Sequence, residues 1–287
     1  MIGWTGLALA AATTLAACSP NHLGATPSTP NSTAPASTTT ATTTSTTATS
    51  TTSVASTTTQ APTTVPTSTI APSTTTSLFA GKAAVRVLHG TNGRPIVAVT
   101  FDAGSDTGNA ARILDILAAN HVRASFGVTG RWAELNPDLF RRMAANHQII
   151  NHTYDHKSWT GLSTHMAPLS DAERLNELQR AEAAYQRIAG ITAAPYFRAP
   201  FGDVDKAVDP LLGAHGYHYD VWYTTDSRGW QGATPAAIVQ NCRSGEVPGG
   251  IIVFHVGSLS HDVDALQQVI DDIRAAGLTP GPVTDLI

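Results

Sequence analysis

The first charged side chain of this chain is Lys82, and that fact divides what can fold into a core from what cannot. All 17 Lys and Arg and all 21 Asp and Glu residues fall in the stretch 82–287 of the 287 residues. Ahead of it, 35 of the 59 residues from Ser19 to Ser77 are Ser or Thr and seven are Pro. So few large apolar groups cannot offset the entropy lost on ordering, and residues 19–80 read as a disordered Ser/Thr-rich stalk. A flexible coil of that length spans about 40 Å root-mean-square. Residues 81–287 suffice for one domain with a sizeable core and are too few for two ordinary ones.

Leu7 to Ala17 is a short apolar run at the extreme N-terminus, ending in Leu15-Ala16-Ala17-Cys18. Residues 1–18 therefore read as a signal peptide rather than a membrane span. Small residues before a single Cys are similar to a bacterial lipobox, in which the Cys carries lipid. That places the protein on the outer face of the cell membrane through Cys18, or secreted into the cell wall. One departure is that Met1 to Gly6 contains no Lys or Arg. With Cys18 in the anchor, Cys242 is alone in the domain and reads as a small buried hydrophobe. A net charge of −4 excludes a strongly basic nucleic-acid binder, and no glycine-rich phosphate loop marks a nucleotide site.

From Arg94 onward, short apolar runs alternate with helical patterns. Ile96 to Phe101 is a β-branched strand, and Ala110 to Asn120 follows with Ile113, Leu114 and Leu117 at helical spacing. Further strands are predicted at Ala124–Thr129, Gln148–Ile150, Tyr196–Arg198, His218–Tyr223 and Gly250–His255. Asn136-Pro137 reads as an N-cap and first-turn proline, opening a helix with Leu139, Phe140 and Met143 inward. Ser170 and Glu173 fit a capping box for a helix that stops at Gly190. A last helix carries Val263, Leu266, Val269, Ile270 and Ile273. Strand–helix alternation implies a parallel α/β sheet of about seven strands, which right-handed crossovers can close into a barrel.

Polar residues gather where these strands end. Thr100-Phe101-Asp102-Ala103-Gly104 closes the first, and Asn151-His152-Thr153-Tyr154-Asp155-His156 the third. Arg198-Ala199-Pro200-Phe201-Gly202, Asp226-Ser227-Arg228-Gly229-Trp230 and Val253-Phe254-His255 follow later strands. In a β/α barrel these ends form one rim, where active sites sit. His152 and His156 are spaced to bind one cation if their segment makes a helical turn.

In order and spacing, these five motifs resemble those of the polysaccharide deacetylases of carbohydrate esterase family 4, over about residues 94–285. The resemblance implies a distorted (β/α) barrel and hydrolysis of acetyl groups on an N-acetylated or O-acetylated glycan, with a divalent metal, zinc or cobalt, as cofactor. It makes His152 and His156 metal ligands, Asp102 the general base and Arg198 the clamp on its carboxylate. His255 becomes the general acid, with Asp226 as its carboxylate neighbour. The Phe201 backbone N–H completes an oxyanion site, and Trp230, with Trp222, walls the acetyl or sugar pocket.

Several positions depart from the family pattern. Its first motif usually reads Thr-Phe-Asp-Asp-Gly and takes a metal ligand from the second Asp, which here is Ala103. Asp106 could supply the missing carboxylate, or water could. Gly229 and Ala199 also differ from common family residues. Three readings follow: a cell-wall deacetylase acting on peptidoglycan or a chitin-like glycan, with acetylated xylan behind them; a carbohydrate-binding wall protein weakened by Ala103; and a small-molecule amidase. The remaining histidines, His147 among them, match no motif and read as ordinary.

Overall fold

The computed structural model describes residues 81–287. The signal segment 1–18, with Cys18, and the stalk expected over 19–80 lie outside the described residues. Nine strands form one sheet: β1 Val85–Val87, β2 Ile96–Ala103, β3 Ser125–Val128, β4 Gln148–Asn151, β5 Tyr196–Phe197, β6 Tyr219–Val221, β7 Thr225–Asp226, β8 Ile251–His255 and β9 Thr279–Gly281. Seven α-helices are interleaved: α1 Ala110–Ala119, α2 Gly130–Leu135, α3 Pro137–Asn146, α4 Asp171–Ala189, α5 Val208–Ala214, α6 Pro235–Cys242 and α7 Asp262–Ala275.

Every pairing is parallel, in the order β1-β6-β5-β4-β3-β2-β8-β7, with β9 against the start of β2. Strand β2, apolar on both faces, touches three neighbours, as a strand covered on both sides must. The curl of the sheet is fixed by one short segment. Tyr219–Val221 pairs with β1 and β5, and five residues beyond Val221 Asp226 pairs with β8, so the chain through Trp222 links the two ends of the order. Thr224 Oγ1 ties this link to the Leu88 carbonyl at 2.8 Å. The expected distorted barrel is therefore what the chain forms.

Strand periodicity sorts the side chains into two layers. Val97, Val99, Phe101 and Ala103 of β2 join Ile252 and Phe254 of β8 in the cluster packed beneath the helices. Phe101 stacks on Phe126 and Phe254, with centroids 5.0 and 5.4 Å away. The alternate residues line the barrel: Ile96, Ala98, Ile150, Val221 and Ile251 fill its lower part with Val283 and Leu286 from the chain end. Continuing that inward register upward gives Thr100, Asp102, His152 and His255.

The capping box at Ser170 and Glu173 and the left-handed stop at Gly190 (φ 67°) form as predicted. Asn136 and Pro137 stand at the N-cap and first turn of α3 as read, but the Asn136 side chain makes no cap bond: its Oδ1 accepts from Thr107 Oγ1 and its Nδ2 donates to the Trp132 carbonyl. Helices α2, α5 and α6 and strands β1 and β9 were not foreseen, being short or, in β9, built on Pro280. The predicted strand 218–223 is shorter and resumes as β7. No helix among the described residues is long and apolar enough to cross a membrane.

Candidate active site

Asp102 and His255 are direct register partners across β2 and β8, on the inward face. On the other side of β2 the partner of Asp102 is Gly127, and a Cβ there would lie 2.5 Å from Asp102 Oδ1. Glycine at this place makes room for the carboxylate. Arg198, almost fully buried at the end of β5, donates from Nη1 to Asp102 Oδ1 at 2.8 Å. Its other donors are held by the Val221 carbonyl at 3.1 Å, Thr100 Oγ1 at 3.0 Å and the Trp222 carbonyl at 3.2 Å. A buried guanidinium with its donors so occupied is a fixed positive charge. Burial draws the Asp102 pKa up, but Arg198 and then His152 outweigh it and hold it below the usual carboxylate value.

His152 Nδ1 donates to the Arg198 carbonyl at 2.9 Å, which leaves the Nε2 lone pair free, 3.8 Å from Asp102 Oδ2. The helical turn expected for His152–His156 does not form. Thr153 and His156 instead take left-handed backbone angles (φ 66° and 57°), and the loop brings the two rings to 4.9 Å between centroids. That strained loop is held from below. Glu177 of α4 accepts from the Tyr154 N–H at 3.1 Å and the Asp155 N–H at 2.7 Å, and Thr153 Oγ1 accepts from the His156 N–H. Burial keeps both imidazoles neutral, with the His152 pKa lowered and that of His156 pushed down to about 3.

Two neutral imidazoles with one Nε2 oriented by a carbonyl are a donor set that suits a divalent cation. They are not joined by a third protein ligand: no group of three His, Cys, Asp or Glu among the described residues is arranged to hold a metal ion. Ala103 lies in the apolar layer under the helices. Asp106 does not replace the missing Asp, because its carboxylate accepts from Ser258 N at 2.9 Å and Ser258 Oγ at 2.5 Å, tying the β2 loop to the β8 loop.

Phe201 sits in a left-handed turn (φ 59°) with its ring 4.6 Å from that of His156. Trp222 packs so closely on Gly202 that no Cβ would fit there. The Trp230 ring lies 5.9 Å from His255. Asp226 turns toward Trp230, accepting from Nε1 at 3.0 Å and from the Arg228 N–H at 2.8 Å. It is not within ion-pair distance of His255. The carboxylate that reaches His255 is Asp262, the first residue of α7, with Oδ2 3.9 Å from Nδ1. Sequence reasoning missed Gly127, Thr100, Glu177 and Asp262; only Gly127, a lone glycine in a strand pattern, carried a readable signal.

The polysaccharide deacetylase family model matches residues 89–219. The peptidoglycan-N-acetylglucosamine deacetylase of Bacillus cereus is 30% identical over 185 residues, 63% of this chain and 64% of that protein. The chain thus spans less than two thirds of that relative. The chitin deacetylase of Colletotrichum lindemuthianum is 34% identical over 200 residues, covering 63% of this chain and 75% of that one. A solved peptidoglycan N-acetylglucosamine deacetylase, in complex with a naphthalenyl-N-oxidanyl-benzamide, superposes with a TM-score of 0.64 at 27% identity, over 70% of this chain and 92% of that chain. The chain belongs to the polysaccharide deacetylase family. Asp226, Trp230, His255 and Asp262 lie beyond the matched segment.

Proposed function

We propose that the domain hydrolyses acetyl groups from a polysaccharide, with N-acetyl groups of cell-wall peptidoglycan or a chitin-like glycan as the first substrates. The single observation that carries this is the Asp102–Arg198 pair set beside His255 at one rim. A protein that only bound sugar would not need a clamped base and an acid on the same face. Hydrolysis of an amide needs a water stripped of its proton, a place for the tetrahedral oxyanion, and a proton for the departing amine. Asp102, ionised and oriented by Arg198, accepts the proton of the attacking water. The Phe201 N–H points its dipole at the developing oxyanion, and His255 delivers a proton to the leaving nitrogen. Trp230 and Trp222 offer apolar walls for the acetyl methyl or the sugar face. His152 and His156 would hold a divalent cation, zinc by the softness of imidazole ligands, which when bound polarises the carbonyl and acidifies water.

Two protein ligands where relatives of the usual pattern have three imply a weaker site, filled out by water or substrate. The test is acetate release by the full chain from N-acetylglucosamine oligomers, peptidoglycan and acetylated xylan, with added zinc or cobalt and after chelation. Metal-dependent acetate that falls at least ~10²-fold in Asp102→Asn supports the reading. No acetate from a folded protein on any of the three, with glycan binding retained, would replace it by the carbohydrate-binding reading.

A further inference from the structure

Asp262 stands where nothing in the motif pattern places a functional carboxylate. Its side chain is fully buried, and its Oδ2 accepts the backbone N–H of His255 at 2.7 Å. The same oxygen faces the ring of that residue, 3.9 Å from Nδ1. One buried polar atom facing this carboxylate is left without a hydrogen-bond partner, His255 Nδ1, while Ser227 and Ser260 hydrogen-bond the Asp262 side chain. An orphan of this kind is rare in folded proteins and calls for a reason. The carboxylate cannot drift away, because the Gly229 backbone is packed against Oδ1 with no space for a Cβ and the Asp262 N–H is held by Ser260 Oγ at 3.3 Å. The His255 side chain is 29% exposed although Nδ1 is buried, so its accessible edge is the one carrying Nε2. A ring held by Nδ1 toward Asp262 therefore presents Nε2 to the mouth of the site.

We propose that Asp262, and not Asp226, is the positioning carboxylate of His255: it selects the Nδ1–H tautomer, aims Nε2 at the leaving group and balances the imidazolium. This deepens the proposed function and rests on its assignment of His255 as the proton donor. The other charges and titratable groups facing His255 are Asp102 from β2, His152 and His156 from the loop after β4, and Asp226 with Trp230 from the β7 side. Among the described residues, the carboxylate within 4 Å of a ring nitrogen of His255 is that of Asp262, at 3.9 Å. Burial draws the Asp262 pKa up, and hydrogen bonds from Ser227, the His255 N–H and Ser260, together with the charge of a protonated His255, favour its ionised form.

The experiment is ring ¹⁵N and ¹³C NMR of histidine-labelled full chain across pH, on wild type, Asp262→Asn and Asp226→Asn, together with the pH dependence of kcat. In wild type the neutral ring of His255 should be the Nδ1–H tautomer. In Asp262→Asn that tautomer should be lost, the His255 midpoint should fall by about one pH unit, and the basic limb of kcat should move down with it. Asp226→Asn should leave tautomer and midpoint in place. Should Asp262→Asn not fold, the ¹³C carboxyl signal of Asp262 in wild-type chain labelled at aspartate must still shift at the His255 midpoint. A wild-type Nε2–H tautomer, or a midpoint moved by Asp226→Asn and not by Asp262→Asn, overturns the proposal. Because the spectra need no turnover, absent acetate release would sink the deacetylase reading while leaving the pairing to be judged by NMR.

Discussion

At the scale of single residues, the site is organised by what is packed against a charge as much as by the charge itself. Asp102 is held from one side by Arg198 at 2.8 Å and has no side chain on the other, where Gly127 faces it. Replacing Gly127 by Ala puts a methyl 2.5 Å from Oδ1, closer than a real Cβ contact, and neither partner can yield easily. The guanidinium is anchored by three further bonds, and Gly127 sits in a sheet-paired backbone. The carboxylate must therefore rotate off its clamp. Gly127→Ala is expected to lose about 10²-fold or more in kcat while costing roughly 1–3 kcal/mol of stability, the ordinary penalty of overpacking. Acetate-release kinetics and urea unfolding check the two halves separately. A variant with wild-type kcat would show that Asp102 does not need its observed orientation.

At the scale of elements, the sequence was legible where periodicity and caps act locally. The β-branched run of β2, the capping box of α4 and the apolar face of α7 all stand where they were read. It was illegible where the decisive partner is remote. Asn136 looks like a cap, but Thr107, 29 residues earlier, competes for its side chain. The His152–His156 spacing suggests a helical turn, but Glu177 on α4 holds the Tyr154 and Asp155 amides in a loop. His147 shows the same principle at a helix end. It follows α3 and matched no motif, yet its Nδ1 accepts the Ala124 N–H at 3.2 Å, joining the helix end to the start of β3. Burial first, then Arg123 and Arg142, push its pKa down to about 4. An unfolded chain takes up this proton near pH 6.5, whereas the fold resists it until about 4. The associated stability is complete above pH 6.5, is lost progressively as pH falls to 4, and is constant below. After discounting for partial exposure it amounts to roughly 1–2 kcal/mol. His147→Asn, whose Oδ1 can still accept from Ala124, should flatten that part of the curve. Urea unfolding of both proteins at several pH values between 4 and 7 measures it; parallel curves would refute the assignment.

At the scale of the whole molecule, the strands deliver their ends to one rim, so the candidate site is assembled from positions as far apart as Asp102 and His255 while each remains a simple continuation of an inward register. Among the described residues, three apolar clusters and the strand pairings lie between Ala84 and Ile287, in the part of the chain that carries every charge. The sequence reading makes the segment ahead of Leu78 a leader and stalk, which leads to the expectation that the fold does not depend on it. A chain beginning at Leu78 should unfold within about 2 °C of the full protein, a difference below 1 kcal/mol for a domain of this size. Its kcat/KM on soluble acetylated oligosaccharides should be unchanged. On the lipobox reading, Cys18→Ala in the full chain should likewise keep both properties but move the protein from the membrane fraction to the medium, since lipid attachment would need the thiol. Fractionation of cells expressing wild type and Cys18→Ala, set beside thermal unfolding of the truncated chain, reads both. If Cys18→Ala stays with the membrane, the lipobox reading fails. If the truncated chain melts several degrees lower, residues before Leu78 contribute to the fold, and the division at the first charge does not hold.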